Sequence, residues 1–175
     1  MGIRQLYREI IRKGYNKQRR DRLHNPNVTV FSSNCVGGVI CHDLGLRFNS
    51  PTVNLFMNPA DYLRFLGNIS HYLAADLKQV YEDGSYPVGM LDDVRIDFVH
   101  YASFYEAAAC WKRRCERVDL THCCAIMVDR DGCTPAHAVE FSKLPFESKV
   151  FLTASASDLP CAISNRNWFE PNGQT

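Results

Sequence analysis

The sequence predicts an α/β fold in three layers, with a largely parallel sheet flanked by helices. Short apolar runs alternate along the chain with longer segments of helical periodicity, which is the order that builds parallel sheets through helical crossovers. The 175 residues are 46% hydrophobic and 22% charged, as in one ordinary globular domain. We therefore expect a single α/β domain over residues 25–160, preceded by a basic amphipathic helix over 1–24 and followed by an irregular tail over 161–175.

The N-terminal segment predicts an amphipathic helix with a strong positive charge. Residues 1–22 contain eight Lys or Arg side chains against Glu9 and Asp21, whereas the remainder contains twelve basic and seventeen acidic ones. Apolar side chains recur at helical spacing, namely Ile3, Leu6, Tyr7, Ile10 and Ile11. This stripe either docks on the domain, which we favour because Gly14 and Asn16 shorten the run, or contacts an anionic membrane surface or a synthesis complex. Nucleic acid is not expected as a partner, since the positive charge is confined to one short helix.

The first half of the α/β domain begins with an apolar strand. Residues 28–31 are interpreted as a buried strand, and the polar, glycine-containing segment 34–38 as the loop that ends it. A short helix or turn is expected over 40–46 and a short strand over 52–57. An Asn-Pro pair then starts a helix over 58–73, because asparagine caps a helix and proline suits its first position.

The second half repeats the alternation of strand and helix. Alternating apolar and charged residues predict a strand over 94–99, and a Ser-x-x-Glu capping box starts a helix over 104–118. A buried strand over 123–128, a helix over 134–144 and a final strand over 149–153 follow. This order is typical of a Rossmann-like arrangement, in which ligands bind beyond the carboxyl ends of the strands.

The segment after the first strand is the main candidate site. Ser33, Asn34 and Cys35 place a hydroxyl, an amide and a thiol there, and Gly37 and Gly38 follow at once. Adjacent glycines permit positive φ and let backbone N–H groups approach a ligand, so the loop can hold an oxyanion or a phosphate. We expect Cys35 at or near the surface, at the carboxyl end of a central strand.

Two histidines are candidates for a general base beside Cys35. His42 lies shortly after the thiol in sequence, and His100, followed by Tyr101, ends the predicted strand over 94–99. A nearby imidazole activates a cysteine as nucleophile. The polar segment 129–131 follows another strand, so the three clusters should converge on one edge of the sheet. The alternatives are a loop whose small residues simply fit a crowded sheet edge, and a histidine that only binds backbone.

A third cluster lies on the helix predicted over 104–118. It contains Trp111, Arg113 and Arg114. Guanidinium groups bind phosphate or carboxylate, and an indole stacks on a sugar ring. We therefore include all three residues as candidates for substrate binding. The alternative is an exposed basic face with Trp111 in the core.

The eight cysteines favour reduced thiols in the cytoplasm. The chain begins without a signal-peptide pattern, and the cysteines lie in apolar or helical settings, so we expect no disulfide. The sequence has neither a CxxC pair nor an HxxxH motif, so no metal site is expected. It also lacks GxGxxG and P-loop motifs, and the cofactor stays unknown.

Five short motifs are distinctive when taken together. They are Ser33-Asn34-Cys35-x-Gly37-Gly38, His42-Asp43-Leu44-Gly45-Leu46, Ser50-Pro51-Thr52-Val53-Asn54-Leu55-Phe56, His100-Tyr101 and Trp111-x-Arg113-Arg114. From about residue 28 to residue 153 the chain resembles the bacterial domain-of-unknown-function family 1919, although Val36 stands where an aromatic residue is expected. Members of that family are often labelled as exopolysaccharide biosynthesis proteins. The resemblance implies a cytoplasmic step of capsule or exopolysaccharide synthesis with a sugar-linked or acyl-linked substrate. A membrane contact through the N-terminal helix would place the protein peripheral to the inner membrane.

These observations lead to one main functional expectation and two alternatives. The main one is a cytoplasmic transferase that acts on a saccharide or nucleotide-sugar precursor in exopolysaccharide synthesis. In this interpretation residues 33–38 hold the donor or an oxyanion, His42 or His100 is the base, and Arg113 or Arg114 neutralises a phosphate. The first alternative is a non-catalytic carbohydrate- or nucleotide-binding module of a polysaccharide synthesis complex. The second is a cysteine hydrolase that uses Cys35.

Overall fold

The chain folds as a mixed α/β protein, and its computed structural model describes residues 3–166, with side chains from residue 12 onward. The helices are α1 (Ile3–Arg20), α2 (Val36–Leu44), α3 (Pro59–Gly67), α4 (Ile69–Ala74), α5 (Phe104–Cys115) and α6 (Pro135–Lys143). The strands are β1 (Thr29–Ser32), β2 (Leu77–Val80), β3 (Val88–Leu91), β4 (Val94–Asp97), β5 (Cys123–Val128), β6 (Ser148–Thr153) and β7 (Ala162–Ser164). None of these helices is long and apolar enough to cross a membrane.

Strands β1, β5, β6 and β7 form a parallel sheet, which we call sheet A. They pair in the order β1-β5-β6-β7. The whole of β1 and the second half of β5, from Ala125 to Val128, are buried. This burial explains why both segments read as near-continuous apolar runs. The predicted α/β class with a parallel sheet and flanking helices is confirmed, and the three-layer, Rossmann-like arrangement stays a prediction.

The order of sheet A corrects two expectations. Strand β1 lies at one edge of the sheet and pairs with β5, so the prediction that Cys35 follows a central strand is wrong. The physical reason is the long excursion of the chain after β1, which leaves the central positions to β5 and β6. Strand β7 lies in the segment for which the sequence predicts an irregular tail, and it pairs with β6 through Phe151↔Ala162.

Strands β2, β3 and β4 form an antiparallel sheet, sheet B, that the sequence analysis did not predict. Their order is β2-β3-β4, and the tight turn between β3 and β4 holds Asp92 at φ 50°. The predicted strand over 94–99 therefore exists as β4 but belongs to sheet B. The strand expected over 52–57 is replaced by turns and a single bridge, in which Phe56 exchanges both backbone hydrogen bonds with Asp97.

An aromatic cluster joins the two sheets to the helices. The ring of Phe65, on α3, contacts Phe31 of β1 and Trp111 of α5, with ring centroids 6.1 Å apart in each case. Phe98, just after β4, packs edge-on against Trp111. All four rings are almost completely buried. Truncation of one such ring to alanine costs about 3–5 kcal/mol in other proteins, so this cluster fixes the position of β1 relative to β4.

Helix α1 packs against α2 through its C-terminal half. The Arg12 guanidinium lies 2.8 Å from the Asp43 carboxylate, and Arg20 Nε donates to the Asp43 carbonyl at 3.1 Å. Asn16, which lies between Arg12 and Arg20 in sequence, is buried. The predicted helix is confirmed, and these contacts agree with the docking interpretation. The side chains of the stripe Leu6, Ile10 and Ile11 lie outside the described residues.

Candidate functional site

The thiol of Cys35 and the imidazole of His100 are in direct contact. Their Sγ and Nε2 atoms are 2.9 Å apart, although 65 residues separate them in sequence. Cys35 follows β1 and occupies the position that caps the N-terminus of α2, and His100 follows β4. Cys35 is partly buried and His100 is exposed, so a ligand can reach both groups from solvent.

Hydrogen bonds fix the backbone that leads into Cys35. The N–H of Ser32 donates to Thr52 Oγ1 at 3.0 Å, and the carbonyl of Ser33 accepts from the N–H of Met57 at 2.9 Å. The Oδ1 atom of Asn34 accepts from the N–H of Val36 at 3.1 Å. Ser33 and Asn34 thus hold the turn in which Cys35 sits. The contribution of Thr52 was not expected, although it belongs to the Ser-Pro-Thr motif.

The two glycines have a different role from the predicted one. Gly37 and Gly38 lie in the first turn of α2, not in a loop, and neither has a positive φ. A Cβ atom on Gly37 would lie 2.6 Å from the Cβ of Ser32, and one on Gly38 would lie 3.2 Å from Oδ1 of Asn54. The prediction of a positive-φ loop is therefore wrong. Glycine is required here because α2 packs closely on β1 and on the segment after residue 50.

The first turn of α2 leaves backbone donors near Cys35 in sequence, although the thiol itself makes no capping hydrogen bond. The first N–H groups of an α-helix have no acceptor inside the helix and face its N-terminal end, where positive partial charge accumulates. The side chain of Asn34 takes up the N–H of Val36. The N–H groups of Gly37 and Gly38 are the next two in this turn, beside Cys35. N–H groups of this kind stabilise negative charge on an oxygen atom when a ligand lies against them.

Tyr101 and Arg114 support the backbone at His100. The hydroxyl of Tyr101 accepts from Arg114 Nη1 at 2.7 Å and donates to the carbonyl of Val53 at 3.3 Å. Arg114 Nη1 also donates to the same carbonyl at 2.9 Å. Arg114 is buried, and burial raises the pKa of Tyr101 despite the nearby guanidinium. Both residues therefore position the loop that carries His100.

Asp131 brings a negative charge to the site from the turn after β5. Its carboxylate accepts from Nδ2 of Asn34 at 3.4 Å, and its backbone is left-handed, with φ 58°. Burial raises the pKa of the Cys35 thiol, and the charge of Asp131 raises it further, against a lowering backbone hydrogen bond. Together these effects favour the neutral thiol over the thiolate. The turns after β1, β4 and β5 meet here.

The remaining candidate residues lie away from the thiol. His42 is seven residues further along α2, about 10 Å by helical rise, and its exposed ring contacts Asp43 at 3.3 Å. Trp111 is 4% exposed and packs in the aromatic cluster, which is the alternative that the sequence left open. Arg113 is exposed on α5, and its Nη2 lies 3.2 Å from the sulfur of Cys110.

Two cavities lie at opposite ends of sheet A. One of about 290 Å³ opens at the carboxyl ends of β5 and β6 and is lined in part by Asp129, Thr134, Phe151, Thr153 and Ser155. It combines hydroxyl groups and a carboxylate with an apolar wall. A larger one, of about 620 Å³, lies at the amino ends of the strands, away from Cys35. All eight cysteines are free thiols. Among the side chains that the structure describes, those of residues 12–166, no three His, Cys, Asp or Glu groups lie close enough together to hold a metal ion.

Comparison with known proteins finds relatives along most of the chain. The model of a protein family described as "Domain of unknown function (DUF1919)" matches residues 6–170. An uncharacterized protein of Haemophilus influenzae is 46% identical over 138 residues, which cover 79% of this chain and 67% of that protein.

Proposed function

The chain belongs to the DUF1919 family, and from the contact between Cys35 and His100 we propose that it is a transferase that carries an acyl group on Cys35. The acceptor in this proposal is a saccharide or nucleotide-sugar precursor in the cytoplasm, at a step of exopolysaccharide or capsule synthesis. The distance of 2.9 Å between sulfur and imidazole supports the chemistry, since a thiol with an adjacent base is the usual nucleophile of acyl transfer.

The first half of the proposed reaction forms a thioester. Cys35 Sγ attacks the carbonyl carbon of the acyl donor while its proton passes to His100 Nε2. The N–H groups of Gly37 and Gly38 stabilise the resulting oxyanion. His100 then gives the proton to the leaving group as the bond between that group and the carbonyl carbon breaks.

The second half transfers the acyl group to the acceptor. A hydroxyl of the saccharide attacks the thioester carbon, and His100 takes the hydroxyl proton. The bond from carbon to sulfur breaks, and the departing thiolate recovers a proton from His100. The acceptor in this proposal occupies the cavity at the carboxyl ends of β5 and β6, where Thr134, Ser155 and Ser157 bring hydroxyl groups and Asp129 brings a carboxylate that already accepts from Thr153. A ligand at this edge also agrees with the Rossmann-like arrangement, which is part of the proposal.

A cysteine hydrolase is the second candidate. It shares the thioester-forming half and replaces the saccharide hydroxyl with water. The exposure of His100 favours it, since water reaches the pair freely. The two candidates therefore differ only in which acceptor resolves the thioester.

The test is acylation followed by mass spectrometry. We expect p-nitrophenyl acetate to add one acetyl group to Cys35, and saccharides to remove it faster than buffer alone if the protein is a transferase. Cys35→Ala should not be acylated, whereas Cys110→Ala, which removes a thiol beside a guanidinium on α5, should behave like the wild type. Acylation that persists in Cys35→Ala would contradict the proposal. Equal deacylation rates with and without saccharide would favour the hydrolase.

A further inference from the structure

Three arginine side chains form a positively charged surface at the C-terminal end of α5. This surface, the arginine patch, consists of Arg47, Arg113 and Arg117. Arg113 and Arg117 are four residues apart, the spacing of neighbours on one helix face, and the chain stays turned there because the N–H of Arg117 donates to the carbonyl of Arg114. Arg47 comes from a distant segment. Its neighbour Phe48 lies under the guanidinium of Arg114, 5.7 Å from ring centroid to Cζ.

The arginine patch lacks compensating charge. Three other arginines are each paired with a carboxylate: Arg12 with Asp43, Arg64 with Asp61, and Arg95 with Glu82. Among the residues that the structure describes, none of the three patch arginines lies within ion-pair distance of a carboxylate. The protein therefore keeps like charges together without a partner of its own.

The neighbouring positive charges affect the pKa of Arg117. Partial desolvation lowers the pKa of this residue, and the charges of Arg47, Arg113 and Arg114 lower it further, with an opposing effect only from Glu116. Basic side chains at the C-terminus of a helix normally complement its dipole, which accounts for Arg113. That explanation does not extend to Arg47, which belongs to no helix.

We infer that the arginine patch binds a diphosphate group of a small-molecule ligand. Guanidinium groups accept phosphate oxygens in bidentate fashion, and two adjacent phosphates offer enough oxygens for three arginines. The patch is connected to the candidate site through buried Arg114. This residue lies between Arg113 and Arg117 in sequence and donates a hydrogen bond to the hydroxyl of Tyr101, the neighbour of His100. The role of this ligand as the acyl donor or acceptor rests on the proposed function, whereas the binding itself does not.

Titration calorimetry with inorganic pyrophosphate at low salt tests this inference. We expect saturable binding with one site per chain, weakened by added NaCl because screening reduces attraction between exposed charges. The double variant Arg47→Gln/Arg117→Gln should lose about tenfold or more in affinity. Lys112→Gln removes one exposed charge from α5 outside the patch and should bind like the wild type. Thermal melting without ligand checks that the double variant is folded, as we expect because Arg47 is exposed and lies outside every helix and strand, and Arg117 lies beyond the end of α5.

Three results would overturn the inference. The first is no detectable binding of pyrophosphate by the wild type. The second is an equal affinity for pyrophosphate in the double variant and in Lys112→Gln. The third is a double variant that binds pyrophosphate like the wild type but sediments less with phosphatidylglycerol vesicles, which would assign the patch to a membrane surface. Failure of the proposed acyl chemistry is distinguishable, because Cys35→Ala should bind pyrophosphate as tightly as the wild type whether or not Cys35 is a nucleophile.

Discussion

The sulfur of Cys35 lies 2.9 Å from Nε2 of His100, and the two residues follow strands of different sheets. Cys35 follows β1 of the parallel sheet, whereas His100 follows β4 of the antiparallel one. The bridge between Phe56 and Asp97, together with the hydrogen bond from Met57 to Ser33, holds these two ends together. The contact therefore depends on how the sheets are joined as well as on the two side chains.

Asp131 should control the reactivity of Cys35. Burial and this negative charge raise the thiol pKa, so little thiolate is present near neutral pH. Alkylation by iodoacetamide should be slow at pH 6 and should rise only above the range in which an ordinary cysteine ionises. Asp131→Asn removes the charge, which lowers the pKa and speeds alkylation at pH 7. Glu140→Gln, on the exposed face of α6, is the matched control. Rates that Asp131→Asn leaves unchanged would show that the charge does not act on the sulfur.

Gly37 should tolerate a side chain poorly. A methyl group at this position meets the Cβ of Ser32 at 2.6 Å, so Gly37→Ala should lower the free energy of unfolding by about 1–3 kcal/mol. Gly67→Ala at the end of α3 is the control, since nothing lies within 4 Å of its added Cβ. It should be neutral, or stabilising by up to about 1 kcal/mol. Urea denaturation measures both. If Gly37→Ala and Gly67→Ala had equal free energies of unfolding, α2 would not be packed as closely on β1 as described.

Arg114 should be a structural residue. Arg114→Met removes the buried donor shared by the carbonyl of Val53 and the hydroxyl of Tyr101, and leaves the carbonyl only its longer bond from Tyr101, which should cost about 1–3 kcal/mol of unfolding free energy. The neighbouring Arg113→Met removes an exposed guanidinium and should change stability by less than about 0.5 kcal/mol. Denaturant melts of the two variants make the comparison. If Arg113→Met lowered the unfolding free energy more than Arg114→Met, the assignment of Arg114 as the structural arginine would be wrong.

The ion pair between Arg12 and Asp43 should contribute a small, acid-sensitive part of the stability. Burial raises the pKa of Asp43, but hydrogen bonds from Arg12 and His42 outweigh it, so the net pKa is lowered. Its contribution is thus present above the pKa of the unfolded carboxyl and is lost as pH falls through the lower, folded value. Because Arg12 is 57% exposed, a double-mutant cycle of Arg12→Ala and Asp43→Asn should give about 0.2–1 kcal/mol at pH 7 and nothing at low pH. A coupling that grows on acidification would contradict this sign.

The strands of sheet A were largely predictable, and sheet B was not. The predicted bounds of 123–128 coincide with β5 because a buried parallel strand is a continuous apolar run. Strand β2 has the sequence Leu-Lys-Gln-Val, in which burial follows no clean alternation. Its strand character comes from pairing with β3 and could not be read from so short a segment.

The contact between Cys35 and His100 was predicted for reasons that were only partly right, and the role of these residues as a site stays a prediction. The rule for parallel sheets predicted that Cys35 and His100 would converge, yet His100 follows an antiparallel strand, and β1 lies at an edge. The glycine pair predicted a loop, because sequence alone cannot separate a need for positive φ from a need for close packing. Local pattern likewise could not tell which of two adjacent arginines, Arg113 or Arg114, would be buried.

The most direct test of the account is the single-turnover rate at which p-nitrophenyl acetate acylates Cys35. We expect His100→Gln to lower this rate by about 10²–10⁴, because it removes the base in contact with the sulfur. His42→Gln removes an exposed imidazole from α2, the helix that begins after Cys35, and should leave the rate unchanged. Equal rates in wild type and His100→Gln, or a loss in His42→Gln alone, would contradict the assignment of Cys35 and His100 as nucleophile and base.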